Sequence, residues 1–212
     1  MSILLKRCAI GAGACAVLFL GGCSPSSTTA ASDVNAAKAP AAPPELVTAK
    51  TAFWPMDTAA VSWASDAVPL AMTAKDLAGF KNEGGKAAMW EATFVSPSLH
   101  AQKVETYAIA TVLPSIHKGA TAGLKQPWGG ETQDVMAIDP STFKIDSDAA
   151  YQSASEAAAA WLKKNPDKTL TSIVLGNAQR FHGPVWAVLW GDKKSGYLAY
   201  VDANSGKVLK GK

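Results

Sequence analysis

Apolar positions along the chain fall into three regimes. From Cys8 to Leu20 they form an uncharged run of thirteen residues, with Lys6 and Arg7 just ahead of it. From Ser24 to about Lys50 large apolar residues are few and Ala, Pro, Ser and Thr dominate, as in Ala39-Pro40-Ala41-Ala42-Pro43-Pro44. Beyond Lys50 the pattern turns periodic, most clearly near the carboxy terminus. Asp146-Ser147-Asp148 offers N-cap oxygens ahead of an alanine-rich run to about Lys164, which Asn165-Pro166 ends. Ala150, Ala154, Ala157, Ala158, Trp161 and Leu162 recur at helical spacing, so a helix with one apolar stripe is predicted. A stripe of that kind needs a sheet to cover. Three runs rich in β-branched and aromatic residues supply it, Thr169 to Leu175, Val185 to Trp190 and Tyr197 to Val201, with a short fourth at Lys207-Val208-Leu209. Asp192-Lys193-Lys194-Ser195-Gly196 and Asp202-Ala203-Asn204-Ser205-Gly206 read as the tight turns between them.

The amino-terminal half repeats this order. Trp63 precedes Trp90 by 27 residues and Trp161 precedes Trp186 by 25. Asp57-Thr58 is expected to cap a short helix through Trp63, Ala67 to Met72 to form a strand, and Ala88 to Phe94 to parallel Pro184 to Trp190, with aromatics four residues apart on one strand face. Lys103 to Val112 would be the third strand. The expected fold class is therefore α+β, two tandem modules at residues 51–145 and 146–212, each a helix packed on an antiparallel sheet. Residues 114–139, rich in glycine and without periodicity, are either a long functional loop or a connector between the modules.

The beginning of the chain reads as an export signal, because a positive start is followed by an apolar run too short for the roughly 20 residues a membrane-spanning helix needs. The run ends in Leu20-Gly21-Gly22-Cys23, which resembles the lipobox of bacterial lipoprotein precursors. The resemblance implies a signal peptide at residues 1–22, diacylglyceryl attachment to the Cys23 thiol, cleavage before it, often acylation of the new amino terminus, and membrane anchoring outside the cytoplasm. Ser24 after the modified cysteine is compatible with sorting to the periplasmic side of the outer membrane in a diderm bacterium. Residues 23–50 then form a flexible tether, since their composition cannot bury enough surface to offset chain entropy. The chain's three cysteines are Cys8, Cys15 and Cys23, so the mature domain has neither free thiol nor disulfide, and its apolar core alone must hold it.

The carboxy-terminal helix, its strands and the ending Tyr200-Val201-Asp202-Ala203-Asn204-Ser205-Gly206-Lys207-Val208-Leu209 together resemble a PepSY-type domain, with Ser205 where threonine is commoner. The resemblance covers about residues 147 to 212. It implies a cystatin-like fold, extracytoplasmic placement and a role in modulating peptidases; it transfers no catalytic residues.

Charge and chemistry narrow the rest. Of the chain's 20 basic residues, 18 remain once Lys6 and Arg7 leave with the signal, against 17 acidic ones, a formal charge of +1. With the lysines scattered, no basic stripe marks a nucleic-acid partner. No G-x-S-x-G, H-E-x-x-H or phosphate-binding glycine loop occurs, and His100, His117 and His182 lie too far apart in sequence for a helical zinc pair. Ser96-Pro97-Ser98-Leu99-His100 fits a strand-connecting turn better than a nucleophile with its base, and Asp146 and Asp148 fit helix capping better than calcium. No cofactor, metal or catalytic residue is assigned. Trp63, Trp90, Trp161 and Trp186 are expected in the core, whereas Trp128, in the turn Gln126-Pro127-Trp128-Gly129-Gly130-Glu131, is a candidate contact with a partner or ligand. Arg180 and His182, in Arg180-Phe181-His182-Gly183-Pro184, are the second candidate. These features favour a non-enzymatic lipoprotein that binds or regulates a protein of the cell envelope, ahead of a small-ligand carrier using the concave sheet face, and both ahead of an enzyme.

Overall fold

A computed structural model describes residues 43–209; the signal peptide, Cys23 and the tether as far as residue 42 lie outside the described residues. Helix α1 (Ala49–Trp63) leads into strands β1 (Val68–Lys75), β2 (Met89–Ser96), β3 (Ala101–Ala108), β4 (Gly119–Ala122) and the two-residue β5 (Gln126–Pro127). Helix α2 (Ser147–Lys164) leads into β6 (Leu170–Ala178), β7 (Gly183–Trp190), β8 (Tyr197–Asp202) and β9 (Val208–Leu209). The fold is α+β: two helices on a single antiparallel sheet of nine strands, ordered β4-β3-β2-β1-β6-β7-β8-β9, with β5 also paired to β3. That order reads the same outward in both directions from the contact between β1 and β6. Each half contributes its helix and then a meander, and the two meanders join into one sheet through Ala71↔Gly176, Met72↔Leu175 and Thr73↔Val174.

The helices share one face of the sheet and one core. Ala150, Ala154 and Ala158 of α2 are wholly buried, and their small side chains let the helix axis sit close to the strands. Helix α1 buries Ala49, Ala52, Phe53, Met56 and Ala60, the i, i+3, i+4, i+7, i+11 stripe of a surface helix. Beneath them Trp90 and Trp186 lie edge to face with centroids 6.4 Å apart, and Phe143 bridges Phe53 (5.8 Å) and Trp186 (5.6 Å). The two tryptophans are used alike. Trp90 Nε1 donates to the carbonyl of Val47 at 3.0 Å and Trp186 Nε1 to that of Ile145 at 2.9 Å, each carbonyl two residues ahead of its own helix.

The helix amino termini meet over the seam. Asp146 Oδ1 accepts from Ser147 N at 2.7 Å, capping α2 as expected, and also from Lys50 N of α1 at 3.0 Å. Ser147 Oγ accepts from Ala49 N at 2.9 Å. Thr48, at the N-cap position of α1, makes no capping bond of its own, so the free amides of α1 are satisfied by the first residues of α2.

Two expectations need correction, the start of α1 and the burial of Trp63 and Trp161. Asp57 and Thr58 do not start a helix: α1 begins at Ala49, and the Thr58 hydroxyl donates back to the Trp54 carbonyl at 2.9 Å inside it. Pro55 sits within α1, where its missing N–H costs one helical bond on the exposed side. Residues 114–139, read as a functional loop or a connector, include the short strands β4 and β5 and lead from the first half to α2. Trp63 and Trp161 are half-buried at the edge of the core, while Trp90 and Trp186 are fully buried.

Candidate functional site

The ladder between β1 and β6 is short, and what happens beyond each of its ends differs. Past Ala71↔Gly176 the strands part, and the chain itself fills the gap: Met136 N donates to Asn177 O at 3.0 Å, Asn177 Nδ2 to Ala137 O at 2.7 Å, and Ile138 N to Pro69 O at 2.8 Å. Ile138 places its side chain in the core at 1% exposure. Past Thr73↔Val174 the strands part again, yet here the next residues, Ala74 and Lys75 of β1 and Leu170 to Ile173 of β6, do not pair across the seam. An open cleft of about 770 Å³ lies at that end.

The cleft is built from four separate segments. Tyr151 and Leu162 of α2 form one side, Trp190 of β7 contributes an aromatic wall, β1 and β6 present the facing strand ends, and the segment 76–88 closes the far side with Phe80. That segment is firmly held. Asn82 Nδ2 donates to Lys75 O at 3.0 Å and Asn82 Oδ1 accepts from Ala88 N at 3.1 Å, while Phe80 packs on Leu77, Met89 and Ile109 in a second, smaller core. Gly85, at φ 77°, lies so close to α2 that a Cβ there would meet the Ser147 carbonyl oxygen, so only glycine fits. Lys75, Lys81, Lys86 and Lys168 line the cleft, against Asp76 and Glu83. Lys75 is engaged by Glu91 at 3.1 Å and Lys168 by Asp167 at 3.8 Å, which leaves Lys81 and Lys86 balanced by Asp76 and Glu83 on the rim.

The predicted contact residues lie elsewhere. Trp128 follows β5, is half-buried, and donates its backbone N–H to His100 O at 3.0 Å. Arg180 is exposed and lies 4.6 Å over the Phe181 ring and 5.5 Å over Tyr200, with Nη2 3.3 Å from the Tyr200 hydroxyl. His182 is exposed at the left-handed corner (φ 58°) leading into β7. Among the described residues no hydrogen bond joins Trp128 to Arg180 or His182. Ser96 Oγ donates to Asp66 Oδ1 at 2.6 Å and accepts from Leu99 N at 3.2 Å, the arrangement of a turn. That pairing and the Ser98 N–H hold the Asp66 carboxyl below its ordinary range. Trp54, which periodicity did not single out, is 56% exposed on the outer side of α1 with Val61. Nor did any local pattern point to the cleft, since its residues are contiguous only in the fold.

Comparison with known proteins adds little. No protein-family model matches the chain, and none supports the PepSY-like reading of residues 147–212. No curated protein matches either. Among solved structures, the chain is similar to a "putative lipoprotein" from Clostridium difficile 630, at 14% identity and a TM-score of 0.48, over 73% of this chain and 87% of that one. A likeness so distant carries no functional argument. Among the described residues, no helix is long and apolar enough to cross a membrane.

Proposed function

We propose that this chain is an extracytoplasmic lipoprotein, anchored to a bacterial membrane through Cys23, whose domain binds a partner in the cell envelope without catalysing a reaction. The lipobox-like Leu20-Gly21-Gly22-Cys23 and the Ala/Pro tether support the anchor. The domain is read as two PepSY- or cystatin-like halves fused along β1 and β6, in keeping with the mirrored strand order and the paired roles of Trp90 and Trp186; modulation of a peptidase is the form of regulation that resemblance suggests. The observation carrying the binding role is the cleft at the seam, where the ladder between two strands stops beside the half-buried rings of Phe80 and Tyr151 and the exposed Lys81 and Lys86. Its test is in-cell crosslinking from a photoreactive residue at Lys81 on the rim. The expected result is one envelope protein, captured by the anchored form and lost when Trp190→Ala removes the aromatic wall. Cys23→Ala should move the protein from the membrane to the soluble fraction. Capture unchanged by Trp190→Ala would remove the cleft from the reading.

A small-ligand carrier is the second reading, favoured by the size of the same cleft, which falls within the roughly 300–1,000 Å³ common to ligand sites. The cleft opens at the end of the seam beside α2, not on the sheet face away from the helices. Quenching of Trp190 fluorescence by a small molecule, abolished in Trp190→Phe, would favour it.

A further inference from the structure

We infer that the domain rests on a lipid bilayer through the end of the sheet where its tether leaves, with the turn at Leu113 entering the bilayer surface. The inference rests on the lipid anchor proposed above and adds the surface that meets the membrane.

The second, smaller core marks that end. Leu77, Ala88, Met89, Ala108 and Ile109 are buried in it, and Leu46, Phe80, Val112 and Ile116 lie half-buried around them. The chain enters the domain here, where Val47 N donates to Ala87 O at 3.1 Å and Ala87 N to Val47 O at 2.9 Å. Only nineteen residues, 24–42, stand between Cys23 and the described chain. Even fully extended they reach no further than about 65 Å. An anchor on Cys23 therefore ties this end to the bilayer at an effective concentration of millimolar order, where a weak contact is enough.

Beside the core, Val112 N donates to Ile116 O at 2.9 Å, Ile116 N to Val112 O at 3.0 Å, and Lys118 N to Thr111 Oγ1 at 3.1 Å. The first two bonds close a turn over Leu113, Pro114 and Ser115, all exposed, and Leu113 stands 77% exposed on it. A lone exposed leucine is ordinary. Leu113 differs in having half-buried apolar side chains behind it and the tether beside it. Leu124, at 86%, has neither, since it follows Gly123, which is bonded to Val104 in the middle of β3.

The charge of this end suits lipid of no net charge. Over residues 43–47, 76–88 and 109–118, Lys81, Lys86 and Lys118 match Glu45, Asp76 and Glu83, with His117 counted neutral. Attachment here comes from apolar burial and needs no anionic headgroup. Phe80 also lines the cleft, so this posture holds the cleft beside the bilayer.

The test uses the lipid-modified chain in phosphatidylcholine vesicles. Cys8 and Cys15 leave with the signal and lipid occupies the Cys23 thiol, so one introduced cysteine alone carries an environment-sensitive nitrobenzoxadiazole label. Ser115→Cys places the label on the turn; Leu99→Cys places it at the other end of β3, at a position 49% exposed. A blue-shifted emission is expected for the Ser115 label only. Lipids spin-labelled near the headgroup should quench it roughly two-fold or more above the Leu99 label, as for a group about 5–10 Å deep. Adding Leu113→Asp, at an exposed position, should abolish both effects. Equal signals at the two labels, or a Ser115 signal indifferent to Leu113→Asp, overturn the contact, while flotation with the vesicles keeps the anchor standing. A chain that neither floats nor carries diacylglyceryl mass on Cys23 overturns the anchor and the contact together. A blue shift in the soluble Cys23→Ala chain without vesicles, fading on dilution, assigns the turn to a second copy and overturns the lipid contact.

Discussion

Asp146 is the residue on which both helices begin, and its removal should cost more than the loss of an ordinary cap. Replacing an N-cap aspartate by alanine costs about 1 kcal/mol. Here the same Oδ1 serves the first amide of α2 at 2.7 Å and the Lys50 amide of α1 at 3.0 Å, so two caps are lost at once and a half-buried N–H is left without a partner. We expect Asp146→Ala to destabilise the domain by about 2–3 kcal/mol, equivalent to roughly 5–10 °C in Tm for a domain of this size. Asp148→Ala is the reference, since its carboxylate accepts only the neighbouring Ala149 amide at 2.8 Å on an exposed surface, and about 0.5 kcal/mol is expected. Urea unfolding followed by tryptophan fluorescence measures both, with an unchanged m-value as the check that the unfolding transition is the same. Asp146→Asn keeps an acceptor without the charge and should fall between wild type and Asp146→Ala. If Asp146→Ala costs no more than Asp148→Ala, the shared-cap reasoning is wrong.

Further expectations follow from other buried or bonded groups. Glu105 on β3 is 0% exposed, neither carboxylate oxygen has a hydrogen-bond partner, and Lys103 Nζ stands 3.7 Å away; burial raises its pKa against the opposing pull of Lys103. A raised folded value means the proton favours the native state, so this site is least costly below the ordinary carboxyl range and becomes destabilising as pH climbs through the folded value. Glu105→Met should therefore stabilise by about 1–3 kcal/mol at pH 8 and much less near pH 4, and an equal gain at both pH values in urea unfolding would count against it. Asp192 is held down to about 2 by the Ser195 hydroxyl and the Ser195 and Lys194 amides. Its contribution to stability is present above the ordinary carboxyl range and lost as pH falls toward 2, and a carboxyl NMR titration should show Ser195→Ala moving the midpoint upward; no movement would sink the assignment. Trp90→Phe and Trp186→Phe each delete one indole N–H bond and should cost about 1–2 kcal/mol, similar to one another, in thermal unfolding.

How far the fold could be read from the chain depended on whether its cues were local. Helix α2 was legible at both ends because Asp146 caps it and Asn165-Pro166 stops it. The turn at Asp202 was legible as well: its carboxylate gathers the Asn204 and Ser205 amides and the Ser205 hydroxyl, and Asp192 does the same with Lys194 and Ser195, so an aspartate-held turn stands on either side of β8. Helix α1 was misread because its first residues resemble the alanine-rich tether and its cap comes from residues nearly a hundred positions later. Strand β4, Gly119-Ala120-Thr121-Ala122, is a largely exposed edge with no apolar alternation to reveal it. The cleft was invisible for a different reason. Its existence depends on where the β1–β6 ladder stops, and none of its residues carries that information in its neighbours.

The dependence of α1 on Asp146 and Ser147 also fixes an order of events during synthesis. A chain made from its amino end presents α1 and β1 long before the residues that cap the one and flank the other. Until about residue 178 is available, the first half has an unsatisfied helix start and an open strand edge, and it cannot settle into a finished structure. Under the export proposed above, that delay would keep the leading half threadable until the trailing half arrives.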